Sequence, residues 1–309
     1  MGNKVRLFLL LICLPLYLFA DETKSYKAIE IPSFLISHDS ENFNVKKITL
    51  GALPLYNDAL HYQGVQVSDF SYSSNDWSKP STQVNYINKS INKKDYIGYT
   101  VNLGIKNLDH HNLATADINY GIKLGETTAT EVFFNRDYVE TVNSLNGGIY
   151  YNYYGASLQK EFLNRFTLIG LVAQHQFSDD NTRNHIRARL IYDILPEYGI
   201  NLQLRHRRFT NSDDPKGNYF NPDQYFEDML AVGYRKRIEG WMFSSLVGMG
   251  KQKINGDKMT DTMLIEAEVT SPLVNRFYLN SKAGYNESAG FNGPDYRYQY
   301  IQANLIFNF

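Results

Sequence analysis

Thr100–Gly125 reads TVNLGIKNLDHHNLATADINYGIKLG, and its two halves alternate apolar with polar side chains. Val101, Leu103 and Ile105 fall on one parity, and the Asn, Gly and Lys residues between them fall on the other. After a turn-forming stretch the alternation resumes from Ala116 to Ile122. Because side chains of a strand alternate between two faces, the segment predicts two antiparallel strands with one apolar face and one polar face.

The same pattern recurs along the chain from about residue 61 to the end. Segments of about ten residues, the span of a tilted strand across a bilayer, are separated by Gly, Asn, Asp and Pro clusters. We expect about fourteen strands, with 12–16 as the approximate range. They are predicted near 61–73, 81–91, 96–107, 113–123, 128–138, 146–160, 166–177, 183–193, 199–209, 224–237, 241–251, 258–270, 277–286 and 296–309.

The connections between these segments alternate in predicted length. The short ones are Asn92–Asp95, Leu124–Thr127, Glu161–Arg165, Ile194–Tyr198, Ile238–Gly240 and Ser271–Arg276. The longer ones are Ser74–Pro80, Leu108–Asn112, Val139–Leu145, Ser178–Thr182, Thr210–Asp223, Gln252–Asp257 and Glu287–Asp295. Short turns on one rim and long loops on the other are typical of outer-membrane barrels. The sequence therefore predicts an all-β fold, a transmembrane antiparallel β-barrel spanning 61–309.

The composition excludes several other classes of protein. The chain has 309 residues, 43% of them apolar and 14% aromatic, with a net charge of -1, and its mean hydropathy is -0.39. A bundle of membrane helices needs apolar runs of about 20 residues, and a nucleic-acid binder needs a dense basic patch. We expect a membrane-lipid environment and no nucleic-acid partner.

Residues 1–20 have the pattern of a secretory signal peptide. Lys4 and Arg6 precede an apolar run that ends at Ala20. Cys13, the only cysteine, lies in this segment, so the mature chain from Asp21 is expected to have no disulfide and no thiol nucleophile.

Two other segments concern barrel assembly. Residues 21–60 contain apolar stretches interrupted by Pro32 and Pro54, and they fit a periplasmic lead-in, a plug in the lumen, or two further strands. The last predicted strand carries an apolar ladder that ends at Phe309. Such a strand resembles the signal read by the outer-membrane assembly machinery, which we expect as a partner in a Gram-negative outer membrane.

Basic residues mark the predicted lumen. Arg residues on three neighbouring strands share one parity while apolar residues share the other, and lipid would reject a cation at the midplane at a cost of about 2–4 kcal/mol. These cations are Arg183, Arg187, Arg189, Arg205, Arg207, Arg235 and Arg237. Glu266 and Glu268 offer acidic partners on a later strand. The stripe fits a conduit that contacts hydroxyls or anions of a substrate, or a lumen braced by salt bridges.

Aromatic residues and possible catalytic groups allow more than one interpretation. The tyrosines Tyr150, Tyr151, Tyr153 and Tyr154 fit an interfacial girdle better than a sugar-stacking surface, and at most half of them face the lumen. Barrel enzymes need His and carboxylate groups near the outer rim, and the long loops offer such groups at His110, His111, Asp109, Asp179, Asp180, Asp213 and Asp214. No nucleophile-turn or zinc motif accompanies them, so we expect no enzyme, catalytic residue, metal or cofactor.

Two short strings resemble a known family. They are Ser178-Asp179-Asp180-Asn181-Thr182-Arg183 and Tyr219-Phe220-Asn221-Pro222-Asp223-Gln224-Tyr225, within a stretch from Asp117 to about Gly250. This stretch resembles the barrels of poly-N-acetylglucosamine and cellulose export porins and the related YaiO-type barrels. The resemblance implies that the second string opens a strand at the outer rim and that the basic strands line a secretion path.

The resemblance covers less than half of the chain, and it has one departure. Export porins of this family carry a long helical region ahead of the barrel, whereas about forty residues precede the first predicted strand here. Either a separate periplasmic scaffold protein supplies this region, or the barrel has another function. The expected function is export of a bacterial exopolysaccharide. The alternatives are a general or sugar-selective diffusion porin, and a barrel enzyme or a passive structural or adhesion barrel.

The first testable prediction concerns membrane integration. The mature chain should require detergent for extraction and should migrate differently on gels before and after heating, as closed membrane barrels do. Deletion of Phe309 should reduce assembly without changing the lumen. Recovery of the mature protein in the soluble periplasmic fraction would contradict the prediction.

Overall fold

Sixteen antiparallel strands in the described part of the chain pair in sequence order and close into one barrel. The computed structural model describes residues 26–213, 216–273, 276–288 and 296–309. The predicted signal peptide, residues 1–20, lies outside these described residues. No helix in the described ranges is long and apolar enough to cross a membrane. The prediction of an all-β transmembrane barrel is confirmed, and the predicted strand number was approximate.

The strands are 11 to 16 residues long. They are β1 (Tyr26–Asp39), β2 (Phe43–Asp58), β3 (His61–Ser74), β4 (Trp77–Ile91), β5 (Gly98–Leu108), β6 (His111–Gly125), β7 (Thr128–Tyr138), β8 (Tyr150–Phe162), β9 (Phe166–Phe177), β10 (Thr182–Leu195), β11 (Ile200–Asn211), β12 (Gln224–Ile238), β13 (Trp241–Ile254), β14 (Thr260–Thr270), β15 (Phe277–Glu287) and β16 (Arg297–Asn308). One short helix, α1 (Val142–Gly147), lies between β7 and β8, and a 3-10 turn spans Pro196–Tyr198.

Residues 26–58 form β1 and β2, so the barrel begins well before residue 61. Both strands contain a proline, which cannot donate to a ladder and is found in strands at bulges or edges. The register of β1 shifts around Pro32, and that of β2 shifts between Ala52 and Leu55, around Pro54. These bulges interrupt the alternation of side chains, which explains why the sequence pattern did not distinguish strands from a lead-in or a plug.

Closure depends on the pairing of β1 with β16. Ile36 pairs with Ile301 and Ile29 with Phe307, on either side of the bulge in β1. The Phe309 N–H donates to the Lys27 carbonyl at 2.9 Å. The last strand therefore binds the first by backbone hydrogen bonds along its length, and the barrel has no free strand edge.

One face of the barrel wall is apolar. On β5 and β6, Ile105 and Ile122 lie on the exposed parity, whereas Lys106 on the opposite parity is fully buried. The same exposed parity carries Leu204 on β11 and Val247 on β13. A continuous apolar surface of this kind would aggregate in water, but it is the surface that lipid requires of a barrel.

The lengths of the connections differ less regularly between the two rims than the sequence predicted. The connection 139–149 lies at the outer rim, where β11 also ends and β12 begins, and where β15 ends and β16 begins. The connections predicted to be long at Ser74–Pro80 and Leu108–Asn112 are instead tight turns, because β4 already begins at Trp77 and β6 at His111. Asn75 and Asp109 adopt φ values of 49° and 54° there, and Asn and Asp tolerate this left-handed conformation in hairpin turns.

The second testable prediction concerns the two faces of β6. Ile118→Lys places a charge on the outward parity near the middle of the strand, and it should lower the free energy of unfolding from lipid by about 2–4 kcal/mol. Asn119→Lys is the matched control, because Asn119 faces the lumen. Urea titrations in lipid vesicles measure both values. Equal destabilisation by the two variants would contradict this assignment of faces.

Candidate functional site: the lumen and its two mouths

Four guanidinium groups line a cavity in the lumen on β10 and β11. Arg187 lies directly opposite Arg207 across the strand pair, and Arg189 lies opposite Arg205. All four border a cavity of about 330 Å³ whose wall also includes Glu227 of β12. We call Arg187, Arg189, Arg205 and Arg207 the arginine quartet. The inward parity predicted for them is the one that the structure has.

The carboxylates near the arginine quartet bind other partners. Glu266 Oε1 lies 2.8 Å from Lys282 Nζ and accepts a hydrogen bond from the Tyr300 hydroxyl at 2.8 Å. Glu268 Oε1 accepts from Asn280 Nδ2 at 2.7 Å. The acidic pair therefore lies on the inner face as the sequence suggested, but its close contacts are with β15 and β16.

The Glu227 carboxylate is also bound by side chains other than the quartet arginines. Its carboxylate accepts hydrogen bonds from the Tyr225 hydroxyl at 2.7 Å and from the Ser288 hydroxyl. Among the described residues, no carboxylate oxygen lies within 4.0 Å of a guanidinium nitrogen of the arginine quartet, so none forms an ion pair with it. Arg207 Nε is buried without a hydrogen-bond partner in this part of the chain. The basic wall is thus not braced internally.

Aromatic rings and imidazoles stand next to the arginine quartet. Tyr153 of β8 stacks on His175 of β9 with ring centroids 4.0 Å apart. His175 Nδ1 lies 2.8 Å from His185 Nε2 of β10. We call Tyr151, Tyr153, His175 and His185 the ring cluster. The expected girdle was wrong for Tyr151 and Tyr153, because their parity on β8 places them inside, whereas Tyr154 is exposed on the outer face.

The remaining basic residues of the stripe lie towards the mouths. Arg183 is inward but only 1% exposed, because the 212–223 loop covers it. Its Nε donates to Asn211 Oδ1 at 2.8 Å, its Nη2 donates to the Phe220 carbonyl, and its guanidinium lies 4.5 Å from the centre of the Phe209 ring. Arg183 therefore holds the β11–β12 connection in place, and its guanidinium does not border the lumen cavity.

Arg235 and Arg237 lie at the opposite end of β12, near the rim away from the long loops. Arg237 Nη1 donates to the Gly240 carbonyl at 2.9 Å. Its Nη2 lies 3.3 Å from the hydroxyl of Tyr96, which belongs to the connection between β4 and β5. Since β4 and β12 lie far apart in the barrel order, this connection extends over the inner mouth.

The two family-like strings meet at the outer rim. Asn181 Nδ2 donates to Asn221 Oδ1 at 2.7 Å and lies 3.1 Å from the Tyr219 hydroxyl. The Tyr219 hydroxyl donates to Asp179 Oδ1 at 2.9 Å. Asn211 Nδ2 donates to the Pro222 carbonyl. We call this hydrogen-bonded unit the outer clasp. Tyr219, Phe220, Asn221 and Pro222 all lie in the loop that leads into β12.

The outer clasp continues into the loop that carries α1. Thr141 and Ser144 hydroxyls donate to the Asn218 carbonyl at 2.6 and 3.0 Å. From the far side, Trp77 Nε1 donates to Asn146 Oδ1 at 3.0 Å, and Lys79 Nζ donates to the Leu145 carbonyl at 3.3 Å. The loops from β7–β8 and β11–β12 thus lie over the outer mouth and are attached to several strands.

Below α1, a charged and aromatic network fills part of the outer lumen. Lys106 is fully buried, lies 2.9 Å from Asp137 and sits 4.1 Å from the centre of the Phe70 ring. The Tyr72 hydroxyl donates to Glu140 Oε1 at 3.2 Å. Burial raises the pKa of the Glu140 carboxyl, and Lys106 partly opposes this rise. The outer part of the lumen next to β3, β5 and β7 is therefore filled by side chains.

The residues weighed as catalytic candidates are dispersed. His110 is a highly exposed turn residue 3.6 Å from Asp109, and the His111 ring lies against Gly148 after α1. Asp180 has φ 77° and forms a turn, Asp213 lies 3.6 Å from Lys216, and Asp214 lies outside the described residues. Within the described ranges, no group of three or more His, Cys, Asp or Glu side chains is arranged to hold a metal ion.

The third testable prediction concerns the outer clasp. Asn181→Ala removes the side chain that binds both Asn221 and Tyr219, and loss of a buried partner costs about 1–3 kcal/mol locally. Trypsin cleavage after the exposed Lys216 should become about 5–150-fold faster, because cleavage follows the population of the open loop. Lys258→Ala, on another outer-rim turn, should leave the cleavage rate unchanged. An unaltered rate in the Asn181 variant would contradict the clasp.

The comparisons with known proteins support the fold only, through one solved structure whose TM-score exceeds 0.5. No protein-family model matches the chain, and no curated protein matches it. A solved "bacterial polysaccharide outer membrane secretin" is similar, with a TM-score of 0.66 and 11% identity over 93% of this chain and 100% of that one.

Two further solved structures are more distant. OccK7 (OpdD) from Pseudomonas aeruginosa gives a TM-score of 0.43 with 11% identity over 92% of this chain and 98% of that one. An anion-selective porin from Comamonas acidovorans gives 0.40 with 9% identity over 93% and 100%. The fold of this chain is that of outer-membrane barrel proteins, and it fits a location in the Gram-negative outer membrane.

Proposed function

We propose that the chain forms a conduit through which an exopolysaccharide crosses the outer membrane to leave the cell. The observation that carries the proposal is the lining of the lumen. The arginine quartet faces a cavity in the lumen, and the ring cluster packs next to it on β8 to β10. Guanidinium groups bind hydroxyl and acidic oxygens of a sugar polymer.

The mouths of the barrel suit a gated path. The outer mouth is covered by loops that are held by side-chain hydrogen bonds and by apolar packing of Leu145 and Tyr219, so opening them breaks these contacts but not the strand ladder. The inner mouth is crossed by the Tyr96 connection, which the hydrogen bond from Arg237 Nη2 to the Tyr96 hydroxyl attaches to β12. The likeness in fold to the polysaccharide secretin agrees with the proposal but identifies no substrate.

The proposal also assigns partners. The outer-membrane assembly machinery inserts the barrel, membrane lipid covers its apolar face, and a separate periplasmic protein delivers the polymer. We assign no reaction to the chain. A diffusion porin is the second candidate, because unpaired cations beside a narrowed lumen also favour the passage of small anions.

The fourth testable prediction uses the absence of cysteine from residue 21 onward. In Leu264→Cys, the new thiol would face the lumen cavity, and a bulky thiol reagent should reduce both bilayer conductance and polymer export by complemented cells. In Ile265→Cys, the new thiol would face lipid on the same strand, and labelling should change neither.

The outcomes separate the candidate functions. Loss of export upon labelling Leu264→Cys, together with periplasmic polymer accumulation in a deletion strain, supports an export conduit. A deletion strain that exports its matrix polymer normally, while labelling still blocks conductance, would replace the export role by that of a diffusion porin. An unlabelled wild-type protein that never conducts in a planar bilayer would contradict both.

A further inference from the structure

We infer that the arginine quartet is a binding site for acidic groups of the substrate, so that the polymer carried is a polyanion bearing carboxylate, phosphate or sulfate groups. This inference rests on the proposed conduit for its biological meaning. The existence of the anion site itself depends only on the side chains of β10, β11 and their neighbours.

The first argument is the close approach of like charges. Residues directly opposite on antiparallel strands have Cβ atoms about 4.5–5.5 Å apart, and like charges there destabilise the pair. Arg187 faces Arg207 and Arg189 faces Arg205, so two such pairs lie next to each other on one face. An arrangement that repels itself is explained most simply by an anion that binds between the guanidinium groups.

The second argument is that no described carboxylate forms an ion pair with the arginine quartet. A salt-bridged lumen would place a carboxylate against each arginine, and Glu227 and Glu266 border the same cavity without doing so. Glu227, Glu266 and Glu268 are instead fixed by hydroxyl, amide and ammonium donors on β12 to β16. Within the described ranges, the quartet also makes no side-chain hydrogen bond.

The third argument is the orientation of Arg207. Its guanidinium lies 5.4 Å from the centre of the Phe209 ring and 5.1 Å from that of Tyr225. The guanidinium thus lies over the faces of two rings that stack on each other, and such faces attract the cation but provide no acceptor oxygen for its N–H donors. The buried Nε is without a partner among the described residues, and a planar acid group approaching the edge would supply the acceptor.

The neighbouring ring cluster adds a further polar group. His185 pairs with Phe209 of β11 and precedes Arg187 on the inward face of β10. Its Nδ1 is buried and has no hydrogen-bond partner among the described residues. Tyr153 packs edge-on against the same imidazole at 5.6 Å. The ring cluster therefore packs next to the arginine quartet without bordering the cavity, and the cavity wall itself offers an acidic sugar the cations.

The test is binding of a fluorescent galacturonate oligomer to the detergent-solubilised barrel, followed by anisotropy. The wild type should bind the oligomer, unlabelled polygalacturonate should compete, and a malto-oligosaccharide of equal length should not. Replacing all four quartet arginines by Gln should weaken binding by at least about tenfold, since several charge-assisted hydrogen bonds are lost.

The matched controls address charge and folding. Arg208→Gln removes a charge from the outward face of the same strand and should leave binding unchanged. The paired variants Arg187→Gln/Arg189→Gln and Arg205→Gln/Arg207→Gln provide a test if the quadruple variant does not assemble, as judged by heat-modifiability. Inorganic phosphate and sulfate as competitors distinguish which acidic group the site prefers.

Ion selectivity gives a second, independent readout. The reversal potential of the wild type should show a preference for anions, and the quartet variant should lose it. Equal binding of galacturonate and malto-oligosaccharide, or galacturonate binding that is unchanged by the quartet substitutions, would overturn the inference. Galacturonate binding in a protein that does not transport polymer would sustain the anion site while the export proposal failed.

Discussion

The rest of the structure depends on pairing every backbone amide in the membrane with another part of the chain. Lipid offers no hydrogen-bond partner, so an open strand edge is not tolerated, and only closure removes it. The β1–β16 ladder provides that closure, with the Phe309 amide bonded to the Lys27 carbonyl at its end. Pro32 would interrupt a regular ladder, and the bulge at its position lets the strand continue on both sides. Closure thus takes precedence over local alternation in β1.

Closure also determines which residues can act. Each strand presents one parity to lipid and the other to the lumen, so polar groups that lipid excludes collect inside. Their positions then depend on register. The pairing of β10 with β11 places Arg187 and Arg207 opposite each other, whereas Arg183, on the same parity, lies under the 212–223 loop. The basic residues predicted as one stripe therefore have three roles. Arg183 binds the β11–β12 connection, the arginine quartet lines the lumen, and Arg237 binds Tyr96 at the inner mouth.

The sequence predicted the strands from β3 onward because their alternation is regular, as in Val101 to Lys106. It also predicted the inward parity of the basic residues, since parity is a local property. It did not predict the outer clasp, because the bonds of Asn181 to Tyr219 and Asn221 join two loops far apart in the chain. Nor did it predict the inward stacking of Tyr153 on His175, although the spacing of His175 on β9 carried the signal. Partners across strands depend on register, which one sequence specifies only weakly.

The two kinds of polar contact in the lumen lead to different expectations about motion and binding. Asn181, Asn221 and Arg183 have their donors satisfied by neighbours, so they rigidify the outer rim and contribute little to a passing chain. The four guanidinium groups of the arginine quartet differ in this respect. They lie near one another, and no described residue accepts a hydrogen bond from them. A conduit needs both, since a substrate must leave each site as readily as it enters. Because Arg187 pairs with Arg207 and Arg189 with Arg205 on neighbouring positions, an arriving acidic group would contact one guanidinium while the group before it still contacts another, and this favours exchange of acidic groups along a polymer over retention of one of them.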